Sequence, residues 1–365
     1  MIKLPESLNV YYHDMLIGTL SMTPGNHRCA FEYSQSWLAD GFSISPLELP
    51  LKSGLMLPKT DYFYGNFGIF EDSMPDGYGN YLLNRILQKY GTSLIEMTPV
   101  ERLSFVGAKG MGALTYVPEY TINTAKGTST LDQMQKDALD VLSEKDFSST
   151  EILYINSGNS GGCRPKCLWK DDEGSWLVKF RHTYDPVDIG QREYEILLKA
   201  KECGITVPDC KLFNGRYLGT KRFDITPDGT RLHVATASAL LCESIRQPMM
   251  DYRRLIRFTA YLTQDTSQAQ EMFRRMIFNY EIGNNDDHAK NFSFIFDGKR
   301  WNISPAYDLT ECRDANHGFH SSLANGKEHP TLEDFLIIAV DAGLTKKQAL
   351  NIIDQIRAVA NPDTE

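Results

Sequence analysis

Three side chains in the last third of the chain have the types and spacing that phosphoryl transfer requires. Asp286 stands five residues before Asn291 in NNDDHAKNFSFIF (284–296), and Asp308 follows seventeen residues later in WNISPAYDLT (301–310). Enzymes that phosphorylate hydroxyl groups use a loop aspartate as base, an asparagine five residues later for one Mg²⁺, and a second aspartate that bridges the metals. The pattern therefore predicts Asp286 as the catalytic base and Asn291 and Asp308 as metal ligands.

Residues beside these three support the same chemistry. Mg²⁺ prefers hard oxygen ligands and shares them with phosphates, so one Asp and one Asn are sufficient. Lys290 lies where a cation would stabilise charge on the transferred phosphoryl group, and His288 either holds the loop or contacts the nucleotide. The competing interpretation is a solvated Asn-Asp-Asp turn followed by a helix start, because both residue types are common in turns and caps.

A glycine-rich loop upstream, SGNSGGCRPK (157–166), offers backbone N–H groups that could cradle phosphates. The loop is not a Walker motif, and a lone loop of this kind is often a simple turn. Its spacing to Lys179 on the next strand would place that lysine beside the phosphates. Glu193 on the following helix could pair with Lys179, as a helix glutamate does in protein kinases.

The elements that must position these residues change in kind along the chain. The first part, to about Pro118, consists of short strands and turns, with MLIGTLSM (15–22) and RCAFEYS (28–34) flanking a Pro-Gly-Asn turn. This pattern predicts a small α/β unit. Helical spacing of apolar residues recurs at 78–90 and again at 131–143.

A strand, a glycine-rich loop and two further strands are predicted from Glu151 onward, as EILYI, the loop, CLW and WLVKF. A helix is predicted at 191–203, with Tyr194, Leu197 and Leu198 on one face. Strands resume at CKLF and at 216–224.

Beyond Asp224 the chain is predicted to be mostly helical. The predicted helices span 235–246, 249–264 and 268–282, and a loop-rich interval at 283–330 precedes two closing helices. Thr345 and Gln348 form a capping box at the start of the last helix.

Length and composition limit the class of protein. The 365 residues are enough for two or three domains, and 42% hydrophobic with 23% charged residues is typical of a folded chain. No apolar stretch approaches the roughly 18–20 residues of a membrane helix, and the amino terminus lacks a signal-peptide pattern, so a cytoplasmic protein is expected.

The seven cysteines are scattered without a CxxC pair, which indicates reduced thiols rather than a structural zinc site. A net charge of −9 argues against DNA binding without a basic partner.

At this point the sequence resembles the HipA family of toxin serine/threonine kinases along almost its whole length. The segments that carry the resemblance are FEDSMPDGYGNYLL (70–83), RLSFVGAKGMGAL (102–114), SGGCRPK (160–166), REYEILLKAKECGITVP (192–208), KRFD (221–224), NNDDHAKNFS (284–293) and SPAYDLT (304–310).

The resemblance implies an α+β, two-lobed, protein-kinase-like fold. A HipA amino-terminal domain is expected at 1–120, a kinase N-lobe at 121–224 and a helical C-lobe at 225–365. ATP and Mg²⁺ are the implied cofactors, and the implied partner is a small helix-turn-helix antitoxin, HipB-like, that binds DNA. The implied substrate is an aminoacyl-tRNA synthetase phosphorylated on serine.

Site residues carried over from the family fall into three groups. Those expected to line or contact the phosphates are Gly161, Gly162, Arg164, Lys166 and Lys179. The expected hinge beside adenine is Lys221, Arg222 and Phe223. His288 to Asn291 are expected to flank the nucleotide, with Tyr307 and Asp308 closing the metal side.

One position departs from the family pattern. Family members that inactivate themselves carry an autophosphorylated serine in the glycine-rich loop, whereas this chain has Asn159, flanked by Ser157 and Ser160. Because a phosphate on either serine would repel the ATP phosphates, one of them is predicted to have taken over the regulatory role.

Three hypotheses of function remain open from the sequence. The first is a toxin kinase acting on a synthetase or another translation factor. The second is a small-molecule phosphotransferase with the same Asp, Asn and Asp geometry. The third is a catalytically silent corepressor that stabilises an antitoxin on its operator, against which the retention of Asp286, Asn291, Asp308 and Lys179 argues.

Overall fold

The structure is a computed structural model, and the residues it describes are 4–25, 27–122, 129–157, 161–245 and 250–361. The chain divides into two compact units. The amino-terminal unit comprises Met1–Gly190 and Leu212–Val234, and the carboxy-terminal unit comprises Gln191–Lys211 and Ala235–Glu365. The chain therefore passes between the two units three times, and the three-part division expected from sequence stays a prediction.

The amino-terminal unit begins with an antiparallel sheet in the order β3-β2-β1-β4. Its strands are β1 (Ser7–Tyr12), β2 (Met15–Met22), β3 (Cys29–Tyr33) and β4 (Leu114–Val117). Leu8 and Val10 alternate with exposed residues along β1, which is the period-two pattern of a sheet with one buried face. The predicted strands on either side of the Pro-Gly-Asn turn are confirmed, since β2 and β3 pair directly.

The described residues of this unit form six α-helices, which follow the predicted pattern in part. They are α1 (Gln35–Asp40), α2 (Gly68–Glu71), α3 (Gly77–Lys89), α4 (Pro99–Val106), α5 (Leu131–Leu142) and α6 (Thr150–Ser157). The helices predicted at 78–90 and 131–143 are confirmed as α3 and α5. Leu82, Leu83 and Ile86 of α3 lie in a buried cluster with Ala138 of α5 and Leu153 of α6.

The strand predicted at EILYI was wrong, because these residues lie in helix α6. The buried residues of α6 are Thr150, Leu153, Tyr154 and Ser157, which recur at three- and four-residue intervals and pack toward α3. A five-residue apolar run does not distinguish a buried strand from a buried helix by its periodicity. Packing against α3, about seventy residues earlier in the chain, stabilises the helix at this position.

A second antiparallel sheet closes the amino-terminal unit in the order β5-β6-β8-β7. Its strands are β5 (Lys166–Asp171), β6 (Gly174–Lys179), β7 (Cys210–Phe213) and β8 (Tyr217–Lys221), and all four were predicted. Helix α5 covers one face, where Leu131 and Met134 pack against Trp176 and Val178.

The carboxy-terminal unit is mainly helical. Its helices are α7 (Ile189–Glu202), α8 (Ala237–Leu241), α9 (Tyr252–Thr263), α10 (Thr266–Ile282), α11 (Leu332–Asp341) and α12 (Lys346–Ala360). A three-stranded sheet in the order β11-β10-β9 is formed by β9 (His233–Thr236), β10 (Ser293–Phe296) and β11 (Trp301–Ile303). Helix α10 packs against both α9 and α12, and the capping box of Thr345 and Gln348 is confirmed.

Two details of this unit differ from the prediction. The buried face of α7 consists of Glu193, Leu197 and Ala200, whereas Leu198 is 44% exposed. The helix predicted at 235–246 begins as strand β9, and Thr236 then caps the short helix α8 by accepting a hydrogen bond from the Ala239 amide. Both differences reflect packing partners that lie far away in sequence.

Among the described residues, no helix is long and apolar enough to cross a membrane.

Glu243, just after α8, is a buried carboxyl with an incomplete set of partners. Its side chain is 2% exposed, Oε1 pairs with Arg254, and Oε2 has no hydrogen-bond partner among the described residues. Burial raises the pKa of Glu243 to about 7, against the opposing effect of Arg254. The folded state therefore binds this proton more tightly than the unfolded chain does.

We expect the free energy of unfolding to fall as pH rises from about 4.5 to about 7. A carboxyl whose pKa is raised in the folded state favours folding only while its proton is bound. Glu243→Gln should match the wild type in thermal unfolding at pH 5. At pH 8 it should be more stable by about 3 kcal/mol, since one pKa unit is worth about 1.4 kcal/mol. Glu144→Gln, at an exposed pair with Arg85, is the matched control. Equal differences at both pH values would contradict the assignment.

Candidate active site

The loop after α10 carries the residues predicted to do chemistry, and Gly283 sets its direction. Helix α10 ends at this glycine, whose φ of 69° lies in the left-handed region that favours glycine. Its amide bonds back to the carbonyls of Asn279 and Tyr280. The sharp exit places 284–291, here called the catalytic loop, at the end of a helix with nine buried residues.

The two adjacent aspartates of this loop have opposite environments. The Asp286 side chain is 57% exposed, whereas the Asp287 side chain is 0% exposed. A base must reach the substrate hydroxyl that it deprotonates. Of the two, Asp286 is the one that a substrate could reach, and its role as base stays a prediction.

Asn291 is held by the loop itself. Its side-chain Nδ2 donates to the Asp286 carbonyl at 2.7 Å, and its backbone amide donates to the His288 carbonyl at 2.9 Å. Because the amide nitrogen is committed, Oδ1 is the atom that could ligate a cation. The bond also links the candidate metal ligand directly to the backbone of the candidate base.

A β-hairpin brings Asp308 toward Asn291. Strand β10 starts two residues after Asn291 and pairs with β11, with Phe294 opposite Ile303 and Phe296 opposite Trp301. The chain then returns, with the Ser304 amide bonded to the Ser293 carbonyl at 2.8 Å. Asp308 itself has a φ of 55°, an uncommon conformation for a residue other than glycine.

Tyr307 fastens the returning chain to the catalytic loop. Its hydroxyl donates to the Lys290 carbonyl at 2.7 Å and lies 2.6 Å from the Ser293 hydroxyl. Tyr307 thus contacts residues on both sides of Asn291, the backbone of Lys290 and the side chain of Ser293.

Asn291 and Asp308 line one small pocket of the carboxy-terminal unit. The other lining residues are Arg275, Asn279, Asn284, Phe292, Ala306, Tyr307 and Leu309. One amide oxygen and one carboxylate facing the same space form a hard oxygen donor set, which fits Mg²⁺ shared with phosphate oxygens. The residues present are therefore suited to the predicted metal.

Arg275, which no sequence motif indicated, is a further residue that lines this pocket. Its side chain is 2% exposed, pairs with Glu271 four residues earlier, and donates to the Ser304 carbonyl at 2.8 Å. Burial lowers the pKa of Arg275, against the opposing effect of Glu271. The signal in the sequence was a Glu–Arg pair one helical turn apart on a helix whose buried positions are mostly apolar.

His288 faces the loop more than the solvent. Its Nε2 lies 3.7 Å from Asp286 Oδ1, and its Nδ1 is buried without a hydrogen-bond partner among the described residues. The choice between holding the loop and contacting nucleotide stays open.

The segment after α7 is hydrogen-bonded both to α10 and to the stretch of chain that leads to Asp308. The Thr206 carbonyl accepts from the Ala306 amide at 2.8 Å, and Thr206 donates its own amide and hydroxyl to Glu271 at 3.1 and 3.2 Å. Arg274 donates to the Cys203 carbonyl at 2.8 Å. Residues 203–206 thereby tie α10 to the residue two positions before Asp308.

The glycine-rich loop belongs to the amino-terminal unit. Lys166 and Lys179 stand directly opposite each other where β5 and β6 meet the loop, and Lys166 Nζ donates to the Gly161 carbonyl. Gly162 has a φ of 92°, and its amide donates to Asp76 at 3.3 Å. Lys166 and Lys179, two cations at the open end of the β5–β6 hairpin, are suited to bind phosphates.

Arg164 is held by a buried carboxylate. Its Nε and Nη2 donate to the two oxygens of Asp185 at 2.9 and 3.1 Å, and the His182 amide donates to the same group at 2.8 Å. Burial alone would raise the pKa of Asp185, but these hydrogen bonds lower it. The orientation of Arg164 is therefore set by Asp185, a residue that the sequence analysis did not consider.

The predicted hinge, Lys221 to Phe223, lies at the end of β8. The Arg222 guanidinium forms two hydrogen bonds with Asp224, whose carboxylate also accepts from the Gly112 amide at 2.8 Å. The Arg222 side chain is thus engaged within the protein.

The predicted roles of the remaining residues stay predictions. Lys179 and Glu193 belong to different units, so their pairing stays a prediction. Ser157 is buried at the end of α6, with its hydroxyl donating to the Tyr154 carbonyl at 3.1 Å. Ser160 and Asn159 lie outside the described residues. Phosphorylation of Ser157 would require that this helix end open.

Comparison with protein families gives two matches. The model of the HipA N-terminal domain matches residues 8–117, and the model of the HipA-like C-terminal domain matches residues 158–362, more than half of the chain.

Two curated relatives illustrate the similarity. A Sinorhizobium fredii protein named "Putative kinase Y4dM" is 31% identical over 155 residues, 37% of this chain and 37% of that protein. The chain thus spans little more than a third of that relative's length. The Shewanella oneidensis protein named "Serine/threonine-protein kinase toxin HipA" is 23% identical over 354 residues, 87% of this chain and 78% of that protein.

A solved structure shares the fold. It is the complex of HipA, HipB and operator DNA from the Shewanella oneidensis MR-1 toxin–antitoxin system. The similarity has a TM-score of 0.71 at 19% identity and covers 96% of this chain and 88% of the other. The predicted α+β fold class is thereby confirmed.

Proposed function

The chain belongs to the HipA family, and on that premise we propose that it is an ATP- and Mg²⁺-dependent serine/threonine protein kinase, the toxin of a toxin–antitoxin pair. The observation that carries this proposal is the catalytic loop. An exposed Asp286 is followed by Asn291, whose side chain bonds to the Asp286 backbone and lines one pocket with Asp308. A binding protein has no need of that arrangement.

Three residues of the catalytic loop and their partner Asp308 have proposed roles in phosphoryl transfer. Asp286 would accept the proton of the substrate hydroxyl as that oxygen bonds to the γ-phosphorus and the bond from this phosphorus to the β,γ-bridging oxygen breaks, releasing ADP. Asn291 Oδ1 and the Asp308 carboxylate would hold Mg²⁺, which would neutralise charge at the phosphates. Lys290, anchored through its carbonyl by Tyr307, adds positive charge beside the transferred group.

Residues of the amino-terminal unit are proposed to bind the nucleotide. Gly161 and Gly162 offer backbone amides, and Lys166, Lys179 and Arg164 offer cations for its phosphates. Their positions at one end of the β5–β6 hairpin support this assignment.

The substrate proposed is a protein of the translation apparatus, with an aminoacyl-tRNA synthetase as the first candidate from the family. Phosphoproteomics after brief induction of the wild type tests it, with Asp286→Asn as the matched inactive variant. A serine phosphosite that appears only with the wild type, on one or a few proteins, is expected. A phosphorylated metabolite without any new protein phosphosite would favour the small-molecule phosphotransferase instead.

We predict that the chain binds operator DNA only together with a small, basic helix-turn-helix partner. The net charge of −9 repels the phosphate backbone, so the chain alone lacks the cations that drive DNA affinity. Fluorescence anisotropy at physiological salt should show little operator binding by the purified chain. Nanomolar, sequence-selective binding without a partner would contradict this prediction.

A further inference from the structure

Asp287 is a fully buried carboxyl for which the proposed chemistry has no use. Its side chain accepts three hydrogen bonds: from the Tyr252 hydroxyl at 2.7 Å, from His320 Nδ1 at 3.0 Å and from the Ser322 amide at 3.2 Å. The Ser322 hydroxyl also donates to the Asp287 carbonyl. A buried carboxyl with this many directed donors is fixed in one orientation.

Two of those donors come from one stretch of chain, residues 320–323, here called the anchor segment. Ser321 donates its amide and hydroxyl to the Asn285 carbonyl at 3.0 and 2.8 Å. The Leu323 carbonyl accepts from the Tyr252 amide at 2.9 Å. The anchor segment therefore lies along the catalytic loop and is itself fastened to the start of α9.

The hydrogen bonds continue from Asp287 back to the proposed base. Asn279 Nδ2 donates to the Tyr252 hydroxyl at 2.9 Å, and Asn284 Nδ2 donates to Asn279 Oδ1 at 3.1 Å. Asn284 Oδ1 then accepts from the Asp286 amide at 3.3 Å. The backbone of Asp286 is thus held from one side by Asn284 and from the other by the burial of Asp287.

His320 is the residue of the anchor segment whose side chain bonds to the Asp287 carboxylate. Its ring is 12% exposed and lies against Tyr280, with centroids 3.9 Å apart. The Tyr280 hydroxyl donates to the Ser322 carbonyl at 3.3 Å. Burial and the nearby Asp287 raise the pKa of Tyr252 well above its ordinary value, so its hydroxyl keeps the proton that it donates.

We propose that Asp287 and His320 are positioning residues, through which the anchor segment fixes the catalytic loop and the orientation of Asp286. The effect on catalysis rests on the proposed kinase function, whereas the mechanical coupling of the two segments does not. Neither residue is proposed to touch the substrate.

A pair of His320 variants separates positioning from simple burial. In His320→Asn the side-chain Nδ2 can take the place of Nδ1 and keep the donor to Asp287, whereas His320→Leu fills similar space without a donor. His329→Leu is the control, because His329 is exposed and lies in the same loop region. Asp287→Asn tests the acceptor side.

The first measurement is hydrogen–deuterium exchange in peptides covering the catalytic loop, which needs no activity. His320→Leu should lower protection there by about tenfold, an opening local to the loop. His320→Asn should restore most of the protection, and His329→Leu should leave it unchanged. Unchanged protection in both His320→Leu and Asp287→Asn would overturn the proposal.

The second measurement is steady-state transfer of γ-phosphate from Mg·ATP to the protein substrate identified by phosphoproteomics, or to casein as a generic acceptor. His320→Leu should lower kcat about 10- to 100-fold, a size expected of a misplaced reacting group. The KM for ATP should change less than about threefold, and His320→Asn should recover most of the rate. Equal loss in kcat and ATP affinity, without rescue, would indicate a merely structural role.

The two ways of failing are distinguishable. If the wild type transfers no phosphate, the proposed function fails and the exchange experiment alone decides the coupling. If the wild type is active and the variants match it, the positioning role fails while the kinase assignment stands.

Discussion

Asp286→Asn should reduce phosphoryl transfer by about two to four orders of magnitude, the range that a general base contributes. Asparagine has the same shape but cannot take the substrate proton. The Asp286 backbone carbonyl accepts a hydrogen bond from Asn291 and its amide donates to Asn284, and the substitution keeps both bonds. Binding of Mg²⁺ with a non-hydrolysable ATP analogue should therefore change by less than about threefold in calorimetry.

The matched control for this experiment is Asp354→Asn, at an exposed position of α12. It makes the same chemical change in the same unit and should keep wild-type transfer. Near wild-type turnover in Asp286→Asn would show that another group is the base.

Asp308→Asn should instead weaken Mg·ATP binding by about tenfold or more, because Mg²⁺ loses an anionic oxygen ligand. The φ of 55° at this position is one that asparagine tolerates, so the backbone should not move. Titration of Mg²⁺ at fixed ATP analogue should show a higher midpoint, and analogue binding without Mg²⁺ should be unaltered.

Asp308→Gly provides a second test of the same assignment. Glycine also accepts the left-handed backbone but offers no ligand, so it should be at least as defective as Asp308→Asn. If either variant kept the wild-type Mg²⁺ requirement, Asp308 would not be a metal ligand.

The sequence predicted the parts of the fold that rest on local chemistry. The hairpin at Pro-Gly-Asn, the helices α3 and α5, and the capping box of α12 each depend on residues within a few positions of one another. The run EILYI failed because its choice between strand and helix depends on packing against α3. The prediction for Leu198 was wrong for the same reason, because periodicity alone placed it on the buried face of α7 without regard to the packing partners of that helix.

For the candidate site, spacing identified residues but not their surroundings. Asp286, Asn291 and Asp308 follow a pattern that can be counted along the chain. The contrasting burial of Asp286 and Asp287 cannot be counted, because it depends on His320 and Ser322 more than thirty residues later. Asp185, which orients Arg164, likewise follows its partner by 21 residues and has no motif of its own.

The three passages of the chain between the two units bear on how the protein can be made and dissected. During synthesis, residues 191–211 emerge before strand β8 completes the second sheet of the amino-terminal unit. The rest of the carboxy-terminal unit, with which they pack, is made later. A fragment that begins at 235 would lack α7 together with Thr206, leaving Glu271 and the Ala306 amide without those partners. No single cut separates the two units, because a fragment that ends at 234 keeps residues 191–211 of the other unit. Gene fragments ending at 190 or starting at 235 should therefore yield aggregating chains.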